Sequence, residues 1–326
     1  MGRITVRRRI TRLTVGSVAQ KREDFLSAEE PLEIRVGGTS LAITMRTPGH
    51  DFDLAAGFLV SEGVISSADH YFAARYCAGA TVDGDNTFNV LDVTLAPGVA
   101  APDPSLERNF YTTSSCGLCG KASIDAVRTL SSFTVADDPL VVSAETLVSF
   151  PDKLRAEQAV FEKTGGLHAA ALFDGVTGEL LVLREDVGRH NAVDKVVGWA
   201  LTQGMLPLRG TVLMVSGRAS FELTQKASMA GIPMLAAVSA PSSLAAELAT
   251  ELGMTLVGFL RGQSMVIYSG ESRIVDESVE GPIDRAATRP PAPAARRPLL
   301  PATLSATHPH GTHDHQLDHR EKATAQ

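Results

Sequence analysis

The stretch from about residue 165 to residue 270 most constrains the fold, because short apolar runs alternate there with segments of helical length and periodicity. Such alternation is typical of a sheet that helices cover on both faces. The stretch therefore predicts an α/β fold, and we expect three layers. The predicted strands are 168–173, 179–184, 211–215, 234–238, 255–260 and 265–268, and the predicted helices are 189–203, 219–230 and 242–252.

The N-terminal third predicts a smaller, β-rich part. Residues 31–36 and 40–45 alternate apolar and polar side chains around Gly37-Gly38, which favours a hairpin. Asp51 or Asp53 can begin a helix that ends at Gly63. Further predictions are irregular surface at 66–85, strands at 87–95 and 108–113, and a helix over 144–163 that Pro151 could break.

Composition excludes several classes of protein. The chain has 326 residues, 44% of them hydrophobic, and a formal net charge of −7. No extended basic face stands out, so nucleic-acid binding is not expected. No apolar run reaches the roughly 20 residues of a membrane span. Three cysteines allow at most one intramolecular disulfide, which favours a reducing compartment, and we expect a cytoplasmic protein.

Three segments differ in composition. Residues 1–30 carry five arginines within their first twelve positions and are interpreted as a basic, solvated leading strand. Residues 31–280 are predicted to form one α/β domain, with its β-rich part at 31–110 and its α/β part at 111–280. Residues 281–326 hold seven prolines and five histidines without apolar periodicity, which predicts a disordered tail.

Two cysteines, Cys116 and Cys119, are separated by two residues in the segment Ser-Ser-Cys-Gly-Leu-Cys-Gly at 114–120. A predicted helix follows at 121–128, and a helix N-terminus favours a thiolate over a thiol. The neighbouring glycines permit tight turns and close approach of a partner. The segment predicts a loop that exposes a reactive sulfur, whereas Cys77 is interpreted as structural.

Four interpretations of the cysteine pair remain open from the residues alone. A structural zinc site needs two more ligands, and no second Cys-x-x-Cys occurs. A thioredoxin-like disulfide oxidoreductase usually carries its motif after an early strand, whereas this pair lies in the middle of the chain. A buried structural pair fits poorly with flanking glycine and serine. A sulfur carrier needs an exposed nucleophilic cysteine and a neighbouring thiol, which this segment supplies.

Polar residues gather at predicted strand ends. The cluster 184–195 can be explained partly by helix capping through Asp186 or Asn191 and by exposed ion pairs. Ser216-Gly217-Arg218 joins a strand to a helix and suits a phosphate group. The same kind of junction recurs at 239–243. The turn 259–264 between the last two predicted strands is either a site or a simple hairpin turn.

Together these segments resemble the formate dehydrogenase accessory sulfurtransferases, the FdhD/NarQ family. Their order along the chain makes the resemblance specific, although the tail and the residues Ser264 and Val266 depart from the family pattern. The segments are 47–58 (TPGHDFDLAAGF), 115–120 (SCGLCG), 164–171 (TGGLHAAA), 185–195 (EDVGRHNAVDK), 216–222 (SGRASFE) and 237–243 (AVSAPSS).

The resemblance implies a cytoplasmic, dimeric sulfur carrier with a fold similar to that of cytidine deaminases. Cys116 would be the persulfide cysteine and Cys119 its partner. The sulfur would come from a cysteine desulfurase and pass to the molybdenum of a bis-molybdopterin guanine dinucleotide cofactor, bound as a substrate, for formate dehydrogenase. No permanent metal is expected. Residues expected to contact the cofactor are Phe259, Leu260, Arg261, Gly262, Gln263 and Ser264, and also Ser216, Gly217 and Arg218.

Two rival functions belong to other classes. A zinc-stabilised chaperone or scaffold without chemistry would hold stoichiometric zinc through Cys116. A deaminase would need a His-x-Glu or Cys-x-Glu element with Pro-Cys-x-x-Cys, and here Ser115 stands where that proline would be.

Overall fold

The computed structural model describes residues 3–77, 88–102, 131–276 and 278, all within one compact unit at 1–279. The cysteine pair, the predicted helix at 121–128, the predicted strand at 108–113 and the tail at 281–326 lie outside the described residues. None of the helices in the described ranges is long and apolar enough to cross a membrane.

An antiparallel ribbon of two strands, β1 (Thr5–Arg12) and β2 (Gln20–Ser27), opens the chain. Most of its side chains are exposed, as the interpretation of a solvated leading strand requires. The partner strand β2 was not predicted.

A four-stranded sheet follows, with the order β4-β3-β6-β5. The predicted hairpin around Gly37-Gly38 is confirmed as β3 and β4. The alternate residues Leu32, Ile34, Leu91 and Val93 are buried against helix α1. The elements are β3 (Glu30–Val36), β4 (Thr39–Arg46), α1 (Asp51–Ser61), β5 (Tyr71–Tyr76) and β6 (Val90–Leu95), with a short 3-10 helix at Ala68–His70.

The rest of the described chain forms a six-stranded mixed sheet and five further helices. The α/β class predicted from the alternation is confirmed. The elements are β7 (Val142–Ser143), α2 (Ala144–Ala156), α3 (Ala159–Thr164), β8 (His168–Asp174), β9 (Leu180–Asp186), α4 (Arg189–Thr202), β10 (Thr211–Val215), α5 (Phe221–Met229), β11 (Met234–Ala237), α6 (Ser243–Glu251), β12 (Thr255–Arg261), β13 (Ser264–Ser269) and β14 (Ile274–Val275).

The order of the six-stranded sheet is β13-β12-β11-β10-β8-β9. Strands β10, β11 and β12 run parallel, while β8 is antiparallel to β10 and β9 is antiparallel to β8. Strands β7 and β14 pair separately.

Alternation along the strands divides the core between the two faces of this sheet. Ala169, Ala171 and Phe173 of β8 join the apolar cluster that contains Phe150 of α2. Ala170 and Leu172 join the cluster formed with α1, α4, α5 and α6. The sheet is therefore covered by helices on both faces.

Helices α1 and α4 cross at two glycines. A Cβ added at Gly57 would overlap the backbone carbonyl of Asp194, and one added at Gly198 would overlap that of Asp53. Only glycine allows the two backbones to approach this closely. The crossing joins the motif at 47–58 to the motif at 185–195.

Two local predictions are wrong. Residues 71–76, expected to be irregular, form β5 at the edge of the four-stranded sheet, where half-exposed side chains give no apolar alternation. Helix α2 continues through Pro151, and the chain leaves it only after Ala156. Leu147, Phe150 and Leu154 pack into the core on both sides of the proline, so burial outweighs the missing hydrogen bond.

Candidate functional site

One edge of the six-stranded sheet collects the loops that the sequence singled out. The carboxyl ends of β10, β11 and β12 meet there because these strands are parallel. The amino end of β8 and the carboxyl end of β9 reach the same edge, since His168 is paired with Asp186. We call this region the strand-end edge, and it comprises residues 168, 186–190, 216–222, 238–242 and 259–264. Ligands of open α/β sheets bind at such edges.

The loop after β10 is held by hydrogen bonds to its neighbours. The backbone N–H of Ser216 donates to the carbonyl of Ala169, and the N–H of Ala169 donates to Oγ of Ser216, each at 2.9 Å. A Cβ on Gly217 would lie 3.4 Å from Nδ1 of His168, so this imidazole packs against the glycine. Arg218 extends into solvent. The predicted phosphate loop is therefore rigid at its base and exposed at its tip.

The turn at 259–264 is fixed against the loop after β11. The N–H of Phe259 donates to the carbonyl of Ser239 at 3.2 Å. A Cβ on Gly258 would lie 2.8 Å from Cδ of Pro241, which requires glycine there. Phe259 has a φ of 51°, a conformation that costs free energy for a bulky residue and recurs at functional sites.

Within this turn the predicted contact residues are not equivalent. Arg261, Gly262, Gln263 and Ser264 are exposed, and the Arg261 guanidinium lies 5.7 Å from the centroid of the Phe259 ring. Leu260 is fully buried in the cluster beneath α2, so only its backbone faces the edge. The structure places this turn and Ser216–Arg218 on the same edge, two strands apart.

Basic groups meet where α4 begins. Burial lowers the pKa of His168, and the charges of Arg189 and His190 lower it further. Nε of Arg189 is buried and finds no hydrogen-bond partner among the described residues. The N-cap residue Gly188 offers no side-chain acceptor, and the first turn holds no acidic residue. An anion at this edge would be favoured by these charges and by the partial positive charge of the helix N-terminus.

His190 also faces the start of α5. Its Nε2 lies 3.5 Å from Oγ of Ser220 and 3.7 Å from a carboxylate oxygen of Glu222. The hydrogen bond with His190 lowers the pKa of Glu222 to about 2. The Glu222 side chain therefore stays ionised and places a negative charge beside the cationic groups.

A buried network beneath the edge fixes the start of α4. Nζ of Lys195 lies 2.7 Å from Oδ2 of Asp186, and both side chains are almost completely buried. The carboxylate of Asp186 also accepts hydrogen bonds from the N–H groups of Thr47 and Gly188. Nδ2 of Asn191 donates to the carbonyl of Met45 at 2.8 Å. The partial explanation of 184–195 by exposed ion pairs is wrong for Asp186 and Lys195, because the chain at 45–47 covers these charges, whereas Asp186 does accept the N–H of Gly188 at the start of α4.

Two further ion pairs hold the motif at 47–58. The guanidinium of Arg46 binds Asp51 at 3.0 Å, and the hydroxyl of Tyr76 donates to the same carboxylate at 3.0 Å. Arg184 binds Asp53 at 2.9 Å. Desolvation raises the pKa of Asp53, but hydrogen bonds from His50 and Arg184 outweigh it and leave that pKa lowered.

Sequence reasoning did not assign His168, Arg189, His190, Ser220 or Glu222 to a site, although each lies in a segment that carries the family resemblance. Their approach depends on which strands pair, and only the density of polar residues at strand ends could have indicated it. Cys116 and Cys119 remain predictions, since they lie outside the described residues. Within residues 3–77, 88–102 and 131–276, no three His, Cys, Asp or Glu side chains are grouped as a metal ion would need.

Comparison with known proteins gives the family. The model of the FdhD/NarQ family matches residues 27–275. This chain belongs to the FdhD/NarQ family. The match includes the strand-end edge and both motifs that meet at the α1–α4 crossing of this FdhD/NarQ protein.

Its relatives are similar over most of their own length. The sulfur carrier protein FdhD of Streptomyces avermitilis is 68% identical over 84% of this chain and 97% of its own. That of Streptomyces coelicolor is 64% identical, over 86% and 99% of the two chains. That of Mycobacterium tuberculosis is 58% identical, over 84% and 100%.

A solved structure supports the fold. The crystal structure of a protein assigned as a formate dehydrogenase accessory protein, from Desulfotalea psychrophila, matches with a TM-score of 0.65. The match covers 84% of this chain and 100% of that chain at 21% identity. At this identity the likeness concerns the fold alone.

Proposed function

We propose that this FdhD/NarQ protein is a sulfur carrier that uses Cys116 as its persulfide cysteine. One observation carries the proposal. The chain is similar to proteins named sulfur carriers over nearly their whole length, and it holds a Cys-x-x-Cys pair in which a glycine follows each cysteine. A helix N-terminus after the pair would favour the thiolate that the chemistry needs.

The proposed loading step is a thiol exchange. The Cys116 thiolate attacks the terminal sulfur of a persulfide on a cysteine desulfurase. A new S–S bond forms at Cys116, the S–S bond of the donor breaks, and the donor cysteine leaves as a thiolate. No external oxidant or reductant is consumed.

Cys119 acts in the step that releases the sulfur. Its thiolate attacks the inner sulfur of the Cys116 persulfide, so that a Cys116–Cys119 disulfide forms and the outer sulfur leaves as hydrosulfide. The two cysteines supply the two electrons that the sulfur gains. A cellular dithiol then reduces the disulfide and restores both thiols.

We further propose that the acceptor is the molybdenum of a bis-molybdopterin guanine dinucleotide, bound as a substrate at the strand-end edge for formate dehydrogenase. Arg218 and Arg261 are exposed on this edge and suit phosphate oxygens. Arg189 and the N-terminal end of α4 add positive charge to the same edge.

The finer description of the fold and assembly belongs to the same proposal. The order β9-β8-β10-β11-β12, with helices on both faces, supports a cytidine deaminase-like sandwich. We propose a homodimer in the cytoplasm. Analytical ultracentrifugation of the purified chain tests the dimer, and a fluorescent fusion with membrane fractionation tests the location.

Mass spectrometry tests the cysteine roles. The protein is incubated with a cysteine desulfurase and cysteine, and its peptides are analysed without reductant. We expect a gain of one sulfur atom on the peptide that holds Cys116. Cys116→Ala should lose the gain, whereas Cys77→Ala is the matched control and should keep it. Unchanged loading of Cys116→Ala would exclude this cysteine as the carrier.

Calorimetry with guanosine diphosphate, a fragment of the cofactor, tests the edge. We expect binding that Arg218→Ala and Arg261→Ala each weaken about tenfold, which corresponds to about 1.4 kcal/mol. Arg209→Ala is the control, since Arg209 precedes β10 at the opposite end of the sheet. Equal affinities of all three variants, or no binding to the folded protein, would refute the nucleotide site.

A further inference from the structure

The ribbon formed by β1 and β2 projects from the fold. The two strands pair only with each other among the described strands, and an isolated ribbon of this kind is marginally stable in water. Its base is fixed: Oγ of Ser27 donates to Oγ1 of Thr164 at 2.8 Å, and Nζ of Lys163 lies 4.1 Å from the centroid of the Phe25 ring. The ribbon is therefore attached to α3 but remains open to solvent along its length.

The register assigns each side chain to one of two faces. The face that carries Phe25 is partly covered by α3. The opposite face, here the open face, pairs Val6 with Leu26, Arg8 with Asp24, and Ile10 with Arg22. Its apolar side chains remain accessible, since Val6 and Leu26 keep 39% and 46% of their surface exposed. The full set on the open face is Val6, Arg8, Ile10, Arg12, Gln20, Arg22, Asp24 and Leu26.

The ribbon is strongly basic in an acidic chain. Residues 3–27 contain seven basic and two acidic side chains, a net charge of +5, whereas the whole chain has −7. The rest of the chain therefore carries −12. Asp24 pairs with Arg22 at 3.3 Å, and no acidic partner of Arg8 or Arg12 is found among the described residues. Arginine is enriched at protein–protein interfaces, where apolar contacts form the buried centre.

We propose that the open face of the ribbon binds an acidic surface of a partner protein. Exposed aliphatic side chains need apolar contacts and the arginines need anionic oxygens, and a protein surface with carboxylates around an apolar patch supplies both. A second copy that docked by the same face would bring two sets of arginines together.

A pair of charge-reversal variants tests the surface. Arg8→Glu/Arg12→Glu changes the open face, and Arg9→Glu/Lys21→Glu makes the same charge change on the opposite face. The two are matched, because each places one new glutamate opposite an existing acid, Asp24 or Glu23. The probes are purified cysteine desulfurase and purified apo formate dehydrogenase from the same organism, and their choice rests on the proposed function. Surface plasmon resonance measures binding at about 0.05 M and about 0.5 M NaCl.

We expect wild-type protein to bind one of the two probes, more weakly at high salt. The open-face variant should lose at least tenfold in affinity, and the control variant less than threefold. Equal losses in the two variants, or binding to neither probe, would overturn the proposal. So would tighter binding of RNA, anionic vesicles or a second copy of the chain through the same arginines.

A separate measurement distinguishes this proposal from the proposed function. Both variants are treated with a low-molecular-weight persulfide, which needs no protein partner, and analysed for sulfur on Cys116. Normal loading with lost binding supports the docking surface. Failure of loading in wild-type protein would refute the carrier role while the binding data still decide the role of the ribbon.

Discussion

Single buried charges hold the strand-end edge in place. Asp186 is completely buried, yet it receives Lys195 and two backbone N–H groups, so its charge is compensated. Such a buried pair adds little net stability, because both ions must leave water. Its main effect is to fix the positions of the groups that it joins. Removal of one partner therefore has a much larger effect than the pair itself would suggest.

Lys195→Met should lower the free energy of unfolding by about 3–5 kcal/mol, because it leaves the Asp186 carboxylate buried without its counter-charge. Urea unfolding followed by circular dichroism measures the loss. Glu23→Gln is the control, since its pair with Arg7 is 68% exposed on both sides and should contribute under about 1 kcal/mol. Similar losses in the two variants would contradict the role of the buried pair.

His168 gives the edge a pH response. Its pKa is lowered by burial and by the charges of Arg189 and His190, so the folded state binds a proton less readily than the unfolded chain. The loss of stability that protonation of His168 causes is absent above the unfolded pKa of about 6.5. It grows as the pH falls below that value. Relative to His168→Gln, the wild-type protein should lose thermal stability between about pH 7 and pH 5. Parallel melting temperatures of the two proteins across this range would contradict the expectation.

At the scale of elements, the contact between α1 and α4 organises the molecule. It brings the chain at 45–53 against the start of α4, where the buried charges and the basic groups meet. Oγ of Ser61 and Nζ of Lys226 both bind the Asp194 carboxylate, which extends the contact to α5. A close helix crossing is thus the support on which the strand-end edge depends.

Gly57→Ala and Gly198→Ala test this crossing by the sign of their effect. In an open helix, alanine in place of glycine would stabilise by about 1 kcal/mol. Here the added Cβ overlaps the backbone of the facing helix, so we expect each variant to destabilise by about 2 kcal/mol or more. Thermal unfolding measures the change. A gain in stability would show that the helices are farther apart than described.

At the scale of the whole molecule, the family match ends at residue 275, close to the last described strand, β14. The composition of 281–326 predicts a segment without a packed core. A chain that ends at Gly281 should therefore unfold at the same temperature as the full chain and mature formate dehydrogenase equally well. A lower melting temperature, or lost maturation with an intact fold, would assign the tail a role.

The sequence predicted the order of elements in the α/β part because apolar periodicity is local. The run Ala169–Phe173 identified a buried strand, and the glycine pair at 37–38 identified a hairpin. It failed at β5, whose pairing with β6 leaves no apolar pattern, and at Pro151, where core packing overrides a helix breaker.

By itself, therefore, the sequence determined most elements of the α/β part, the fold class, and the loops that carry polar residues. Only the tertiary structure decided that Ser216–Arg218 and Phe259–Ser264 share one edge, that Asp186 and Lys195 are buried, and that Gly57 faces α4. The physical reason is the distance along the chain over which each signal acts. Periodicity shows which face of an element is apolar, whereas the element that covers that face is selected by contacts between residues more than a hundred positions apart.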